Sequence, residues 1–194
     1  MALLGQGVVA IRGDLGTPER SAHDHWHSHE HLPERVGIAG FRRGRRAVSV
    51  DGGAPQILAI YEVDSLATLT SPGYLERLNE PTAWSAHVMG AMKQLTRTLC
   101  KVTASHGGGL GAHALTLALR PDPRRSEAFR HWLAKEVLPD LPTQAGITGA
   151  HLLERLRATL LSDRSLMVHG VVDAPLVGHW QLAHVMVPED LPGR

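Results

Sequence analysis

The sequence predicts an α+β fold made of two βαββαβ repeats in tandem, the second lacking its second helix. Three observations predict it. Short apolar runs alternate with amphipathic stretches over residues 1–105, a glycine-rich stretch at 106–112 interrupts them, and the pattern restarts over 113–194. The restart carries a motif: His25-Trp26-x3-Glu30-x-Leu32-Pro33 returns as His131-Trp132-x3-Glu136-x-Leu138-Pro139, offset by 106. After an expected three-residue insertion, Gly37-Ile38-x-Gly40 returns as Gly146-Ile147-x-Gly149.

Each element has a local cause. Val8 to Arg12 is a short apolar run closed by Gly13-Asp14, which reads as a buried strand. Thr17-Pro18 then starts a helix, because Thr can cap orphan amides and Pro loses nothing at the first helical position. That helix is expected to stop near Leu32, before Pro33. Phe41 to Val50 alternates as a strand, with Phe41, Arg43 and Arg45 on one side and Arg42, Gly44 and Arg46 on the other. The turn signal at 51–55 leads into Ile57 to Val63, so a hairpin is expected. Asp64 to Arg97 has helical character broken at 71–73 and at Pro81, and Leu99 to Ala104 closes the unit as a strand. In the second repeat, Ala114 to Leu119, Ala150 to Arg157, Leu166 to Asp173 and Trp180 to Val187 are expected strands, with a helix from Pro123 to Leu138. Only residues 174–179 separate the last two strands, too few for a crossover helix.

Composition bounds the function. The 194 residues are 43% hydrophobic and 20% charged, as in soluble globular proteins, and the net charge of +1 gives no global field for nucleic acid or membrane. One cysteine, Cys100, excludes an intrachain disulfide, and no signal segment or membrane-length apolar run is present, so a cytoplasmic protein is expected. Aromatic residues at 4% are too few for a stacking platform, so the four arginines at 42, 43, 45 and 46 do not read as an RNA surface.

The 13 histidines are the compositional outlier. At about 100° per residue, His23, His27 and His31 fall within an arc of about 80° on the first helix. Histidines at i and i+4 can share a metal, but no third ligand has a fixed place, so no metal or other cofactor is expected. Glu30-His31 is the sharper pair: His31 suits general acid-base work and Glu30 could orient it. The second repeat keeps Glu136 but has Val137 at the position of His31, which marks His31 as dispensable to the fold. Arg43 or Arg45 could bind a substrate anion or enolate, or could be paired with Glu34, Glu62 or Glu30 instead. Tyr74 and Trp84 could border a cavity in the first repeat.

Trp26, Glu30, His31, Pro33, Glu34 and Arg35, followed by Gly40, Phe41, Arg43, Arg45 and Arg46, form a W-x3-E-H-x-P-E-R…G-F-x-R-x-R-R pattern. It resembles that of EthD-like proteins and their relatives in the dimeric α/β-barrel (ferredoxin-like) superfamily. The spacing of Tyr74, Pro81, Thr82 and Trp84 is similar too. The resemblance implies ferredoxin-like repeats and a cavity between sheet and helices for small, often aromatic ligands. Ala47 stands where relatives often carry an aromatic ring, which implies a roomier pocket or a different ligand. The expected function is a cofactor-independent enzyme transferring protons on an aromatic or carbonyl-bearing metabolite. His31 and Glu30 are its expected catalytic residues, and Arg43, Arg45, Tyr74 and Trp84 its substrate contacts. A non-catalytic ligand-binding or assembly protein is the alternative, and a haem or metal enzyme the third reading. The expected partner is a small molecule, with a homodimer admitted by the resemblance.

Overall fold

The computed structural model describes residues 2–109, 111–156 and 166–172; the expected strand from Trp180 to Val187 and the short connection before it lie outside these residues. The chain forms two compact units, one spanning Leu3–Val102 and the other from Thr103 onward.

In the first unit, β1 (Gly7–Asp14) leads to α1 (Thr17–Trp26), a π-helical turn (His27–His31) and α2 (Leu32–Val36). Next come β2 (Phe41–Val48) and β3 (Ile57–Val63), a 3-10 turn at Leu66–Thr70, α3 (Pro72–Asn79), α4 (Ala83–Ala91) and β4 (Lys93–Gly107). The strands pair antiparallel in the order β2-β3-β1-β4. Val9, Ala59, Tyr61 and Val63 share one face of this sheet, by strand alternation and by register, and pack with Phe41, Leu69 and Tyr74 as the core under the helices. Gly44 lets the helical layer come close: a Cβ there would lie 2.2 Å from Leu32 Cδ1 and 3.0 Å from the Tyr61 ring.

The second unit continues with β5 (His113–Leu119), α5 (Ser126–Trp132), a second π-helical turn (Leu133–Val137), α6 (Leu138–Asp140), β6 (Ile147–Arg155) and β7 (Leu166–Val172). Here β7 lies between β5 and β6, antiparallel to both. The end of β4 borders β6, with the Gly108 amide donating to Thr148 O at 2.9 Å. His106 and Gly107, expected to open a linker, therefore end a strand.

Three expectations change. The first helix does not stop at Leu32. It passes through Pro33, because the inserted π turn shifts the bonding pattern (Leu32 N–H donates to His27 O) just where the proline ring would otherwise break it. Pro139 follows the second π turn in the same way. Second, Lys93 to Arg97 is strand rather than helix, since β4 pairs with β1 back to Lys93. Third, a bulge between Phe41 and Arg43 breaks the simple alternation of β2. Phe41 thereby faces the core with Gly44, opposite Val63 and Tyr61, while Arg43 lies opposite Glu62 on the reverse face.

The two π turns stand 106 residues apart, and so do Gly40 and Gly146, both at positive φ (89° and 84°) immediately before β2 and β6. The backbone counterpart of Gly40 is thus Gly146 rather than Gly149, and the helix-to-strand connections need no insertion between them.

Candidate functional site

The first unit encloses a cavity of about 170 Å3 between its sheet and its helices. Its floor is the core face of the sheet, from Val9, Ile11, Ala59 and Tyr61, and its roof comes from α1, the π turn and α2. Four polar residues reach it from that helical run at four-residue spacing: His23, His27, His31 and Arg35. In a continuous α-helix such a row drifts by about 40° at each step. The π turn is wider, so the step from His27 to His31 advances less, and the row stays over the sheet. Successive histidine rings lie 5.7 Å apart, centre to centre. Leu78, Leu95 and Arg97 line the cavity and are exposed, which places its mouth between α3 and β4.

Burial sets the electrostatics. His27 is 3% exposed, and its Nε2 is 2.8 Å from the Tyr61 hydroxyl. Its pKa is pushed down to about 4, chiefly by burial and then by Arg46. His31 packs on Trp26 with ring centres 4.4 Å apart, and its buried Nδ1 has no partner. Burial, then Arg35, lowers its pKa to about 3, so its imidazole is neutral through the physiological range. Burial also lowers His23 and raises the Tyr61 hydroxyl. Arg35 donates through Nη2 to Arg77 O at 3.0 Å, while its buried Nη1 has no partner. Both Arg35 and Arg97 lie over the Tyr74 ring, at 5.9 and 5.5 Å, and Arg97 donates to the Tyr74 hydroxyl. Among the described residues no group of three or more His, Cys, Asp or Glu side chains is arranged to hold a metal.

Of the residues singled out by sequence, His31 and Tyr74 line this cavity together. Glu30 does not orient His31. Its carboxylate accepts hydrogen bonds from Thr82 Oγ1 (2.6 Å) and Ser85 Oγ (2.9 Å) at the start of α4, and Thr82 first, then Ser85, holds its pKa below the usual range. Ser85 in turn accepts from the Trp26 indole at 3.0 Å, so Glu30 fastens α4 to the first helix. Arg43 and Arg45 do not reach the cavity because the bulge turns them to the reverse face of the sheet. Arg43 donates to both oxygens of Glu62 (2.7 and 3.0 Å), and Arg45 lies 3.6 Å from the same carboxylate. Arg42 pairs with Asp64 and Arg46 with Asp24. Trp84 is 36% exposed and stacks on His25 outside the cavity, since α4 presents Val88 and Ser85 inward instead. Ala47 lies opposite Leu58, on the face with Glu62, so it does not enlarge the pocket. Sequence reasoning missed Arg35, Tyr61 and Arg97. The four-residue step from His31 to Arg35 was a usable signal for the first, and the alternation of β3 for the second.

The second unit offers an internal comparison. The positions 106 residues beyond His23, His27, His31 and Arg35 hold Phe129, Leu133, Val137 and Leu141, all part of one apolar cluster with Leu138, Ala150 and Leu152. A similar run of helix, π turn and helix thus carries apolar side chains at these positions. The polar row of the first unit is not a requirement of the fold.

These histidines make stability depend on pH with a definite sign. The folded pKa values of His27 and His31 lie below the ordinary 6.5, so the unfolded chain binds more protons between about pH 6.5 and their folded values. Their contribution is complete above about pH 6.5 and declines as pH falls toward 4, by at most about 1.4 kcal/mol per pH unit for each histidine. Urea unfolding between pH 7 and pH 5 should show this decline, and His31→Val should make it shallower. Equal slopes for the two proteins would contradict the burial of a neutral His31.

No family model and no curated protein sequence matches the chain. Solved structures do. An anthrone oxidase-like protein superposes with a TM-score of 0.62 at 13% identity, over 87% of this chain and 73% of that one. A candidate monooxygenase from Fusobacterium nucleatum subsp. nucleatum gives 0.59 at 11% identity, over 88% and 77%. Another from Lactobacillus acidophilus gives 0.59 at 8% identity, over 86% and 77%. These likenesses show the fold alone, an α+β arrangement shared with those structures.

Proposed function

We propose that the chain is a cofactor-independent enzyme that transfers a proton on a small aromatic or carbonyl-bearing substrate, with His31 as the proton acceptor. One observation carries this reading: His31, a neutral imidazole whose Nδ1 has no partner, lines a cavity between sheet and helices, while the equivalent helical positions of the second unit carry apolar side chains. An unpaired buried polar atom is costly, and a ligand that hydrogen-bonds to it removes that cost. In the proposed step, an acidic C–H or phenolic O–H of the bound substrate gives its proton to Nδ1, and the substrate is left as an enolate or phenolate beside Arg35 and Arg97. The anion so formed draws His31 back toward an ordinary pKa, which strengthens the base as the charge develops. The names of the structural relatives, anthrone oxidase-like and monooxygenase, agree with a substrate activated in this way.

We also read the chain as a tandem duplication related to EthD-like proteins. The motif beginning at Trp26 and the constant offset of π turn and left-handed glycine support that reading.

The test is exchange of activated C–H protons in D2O, followed by proton NMR, over a panel of neutral one-ring ketones and 1,3-dicarbonyl compounds. At least one should lose its acidic proton faster with the protein than with His31→Gln. Equal rates throughout the panel would remove the basis for the proposal.

A further inference from the structure

We infer that the cavity of the first unit takes a monocyclic aromatic carboxylate bearing a hydroxyl group, with the carboxylate on Arg35 and the hydroxyl toward His31. The inference rests on the reading of this cavity as the substrate site and adds the class of substrate.

Four observations lead to it. Among the described residues, four buried side-chain polar atoms have no partner, and two of them, His31 Nδ1 and Arg35 Nη1, belong to residues that line this cavity. They sit four residues apart on one helical face, where Cβ atoms are about 5–6 Å from each other, so one ring with two polar substituents can reach both. Second, the charge around the cavity is one-sided. Arg35 and Arg97 line it and no carboxylate does. Glu34 is 3.9 Å from the Arg35 guanidinium but is shared with Arg77 at 3.7 Å, and it points to Nη2, leaving Nη1 free. A carboxylate is the group whose oxygens match a guanidinium edge. Third, the volume selects the size. An apolar cavity of about 150 Å3 accepts a benzene ring, so about 170 Å3 accommodates one ring with small substituents rather than a fused system. Fourth, Arg97 stands exposed at the mouth, where a fixed positive charge speeds the arrival of anions.

The second unit again separates function from fold. Leu141 occupies the position equivalent to Arg35 and packs in the apolar cluster there, so burying a guanidinium at residue 35 is not needed to hold the helix on the sheet. A ligand carboxylate also offsets the charge of Arg35, one of the groups that suppress protonation of His31. Binding of the acid therefore prepares the base.

Isothermal titration of the full chain with 3-hydroxybenzoate and with its neutral isostere 3-hydroxybenzamide tests the assignment. The acid should bind at least tenfold more tightly than the amide. Arg35→Met should abolish that preference, and Arg97→Gln should weaken the acid less than Arg35→Met does. Should Arg35→Met fail to fold by circular dichroism, the acid-to-amide ratio of the wild-type protein decides alone. An amide that binds as tightly as the acid, or no binding of either, overturns the inference. If neither probe binds while His31-dependent exchange is seen on neutral panel compounds, the carboxylate assignment falls and the proton-transfer reading stands. Preference for the acid with no exchange on any compound gives the converse.

Discussion

His31→Val should leave the protein folded and reduce substrate proton exchange by at least about a hundredfold, the scale on which a positioned general base acts. Val is the residue at the equivalent position 137, where it packs against the apolar cluster of the second unit. In the first unit it removes a buried Nδ1 that has no partner, so no hydrogen bond from that atom is lost. The melting temperature should stay within a few degrees of wild type or rise, because exchanging an unsatisfied buried polar group for a hydrocarbon of smaller size is close to neutral. Thermal unfolding by circular dichroism and the NMR exchange assay, run on the same preparation, check both halves. Activity lost together with the fold would return His31 to a structural role, and activity retained would remove it from the chemistry.

Glu62→Leu should be the most destabilising single change, at about 3–5 kcal/mol. The Glu62 side chain is 1% exposed and holds Arg43 through two hydrogen bonds, approaches Arg45, and accepts from the Leu4 amide at 2.8 Å. Removing it leaves Arg43, 15% exposed, as an unpaired charge on the reverse face of the sheet. Breaking a buried pair from one side costs this much, whereas replacing both partners by apolar residues is often near neutral. The double variant Glu62→Leu/Arg43→Met should therefore recover most of the loss, and urea titrations of the four proteins of this cycle measure the coupling. A double variant as unstable as the single one would mean that Arg45 or the N-terminal segment, rather than Arg43, depends on Glu62. Neither change touches the cavity, so ligand binding by the folded fraction should be unaltered.

Strands and helices were legible where they rest on local pattern. β1, β3, β5 and β6 follow from apolar runs, the first helix from its proline start, and both helical runs from the repeated Trp and Glu, although the second begins at Ser126 and not at Pro123. The site was legible only in part. His31 emerged from comparing the two similar motifs, but the partners assigned to it rested on adjacency in sequence. Glu30 is next to His31 in the chain, yet on a helix neighbours diverge by about 100°, and its carboxylate goes to α4. Arg43 and Arg45 needed the bulge after Phe41, which depends on pairing with β3 and leaves no mark in β2 itself. Arg35 was hidden by Pro33, which suggested that the helix had already ended. The π turn, invisible to any 3.6-residue template, is what carries the helix past that proline.

The same turn acts as a length adjuster. A π turn holds one more residue than the α-helical turn it replaces, so a chain shortened by one residue between His27 and His31 would close into ordinary helix. The helix on either side would keep its phase, since five residues of π turn and four of α-helix each make a little over one turn. Arg35 would stay over Tyr74 and Trp26 against Ser85. The turn thus absorbs one residue of length within the wall of the cavity without disturbing the contacts on either side of it.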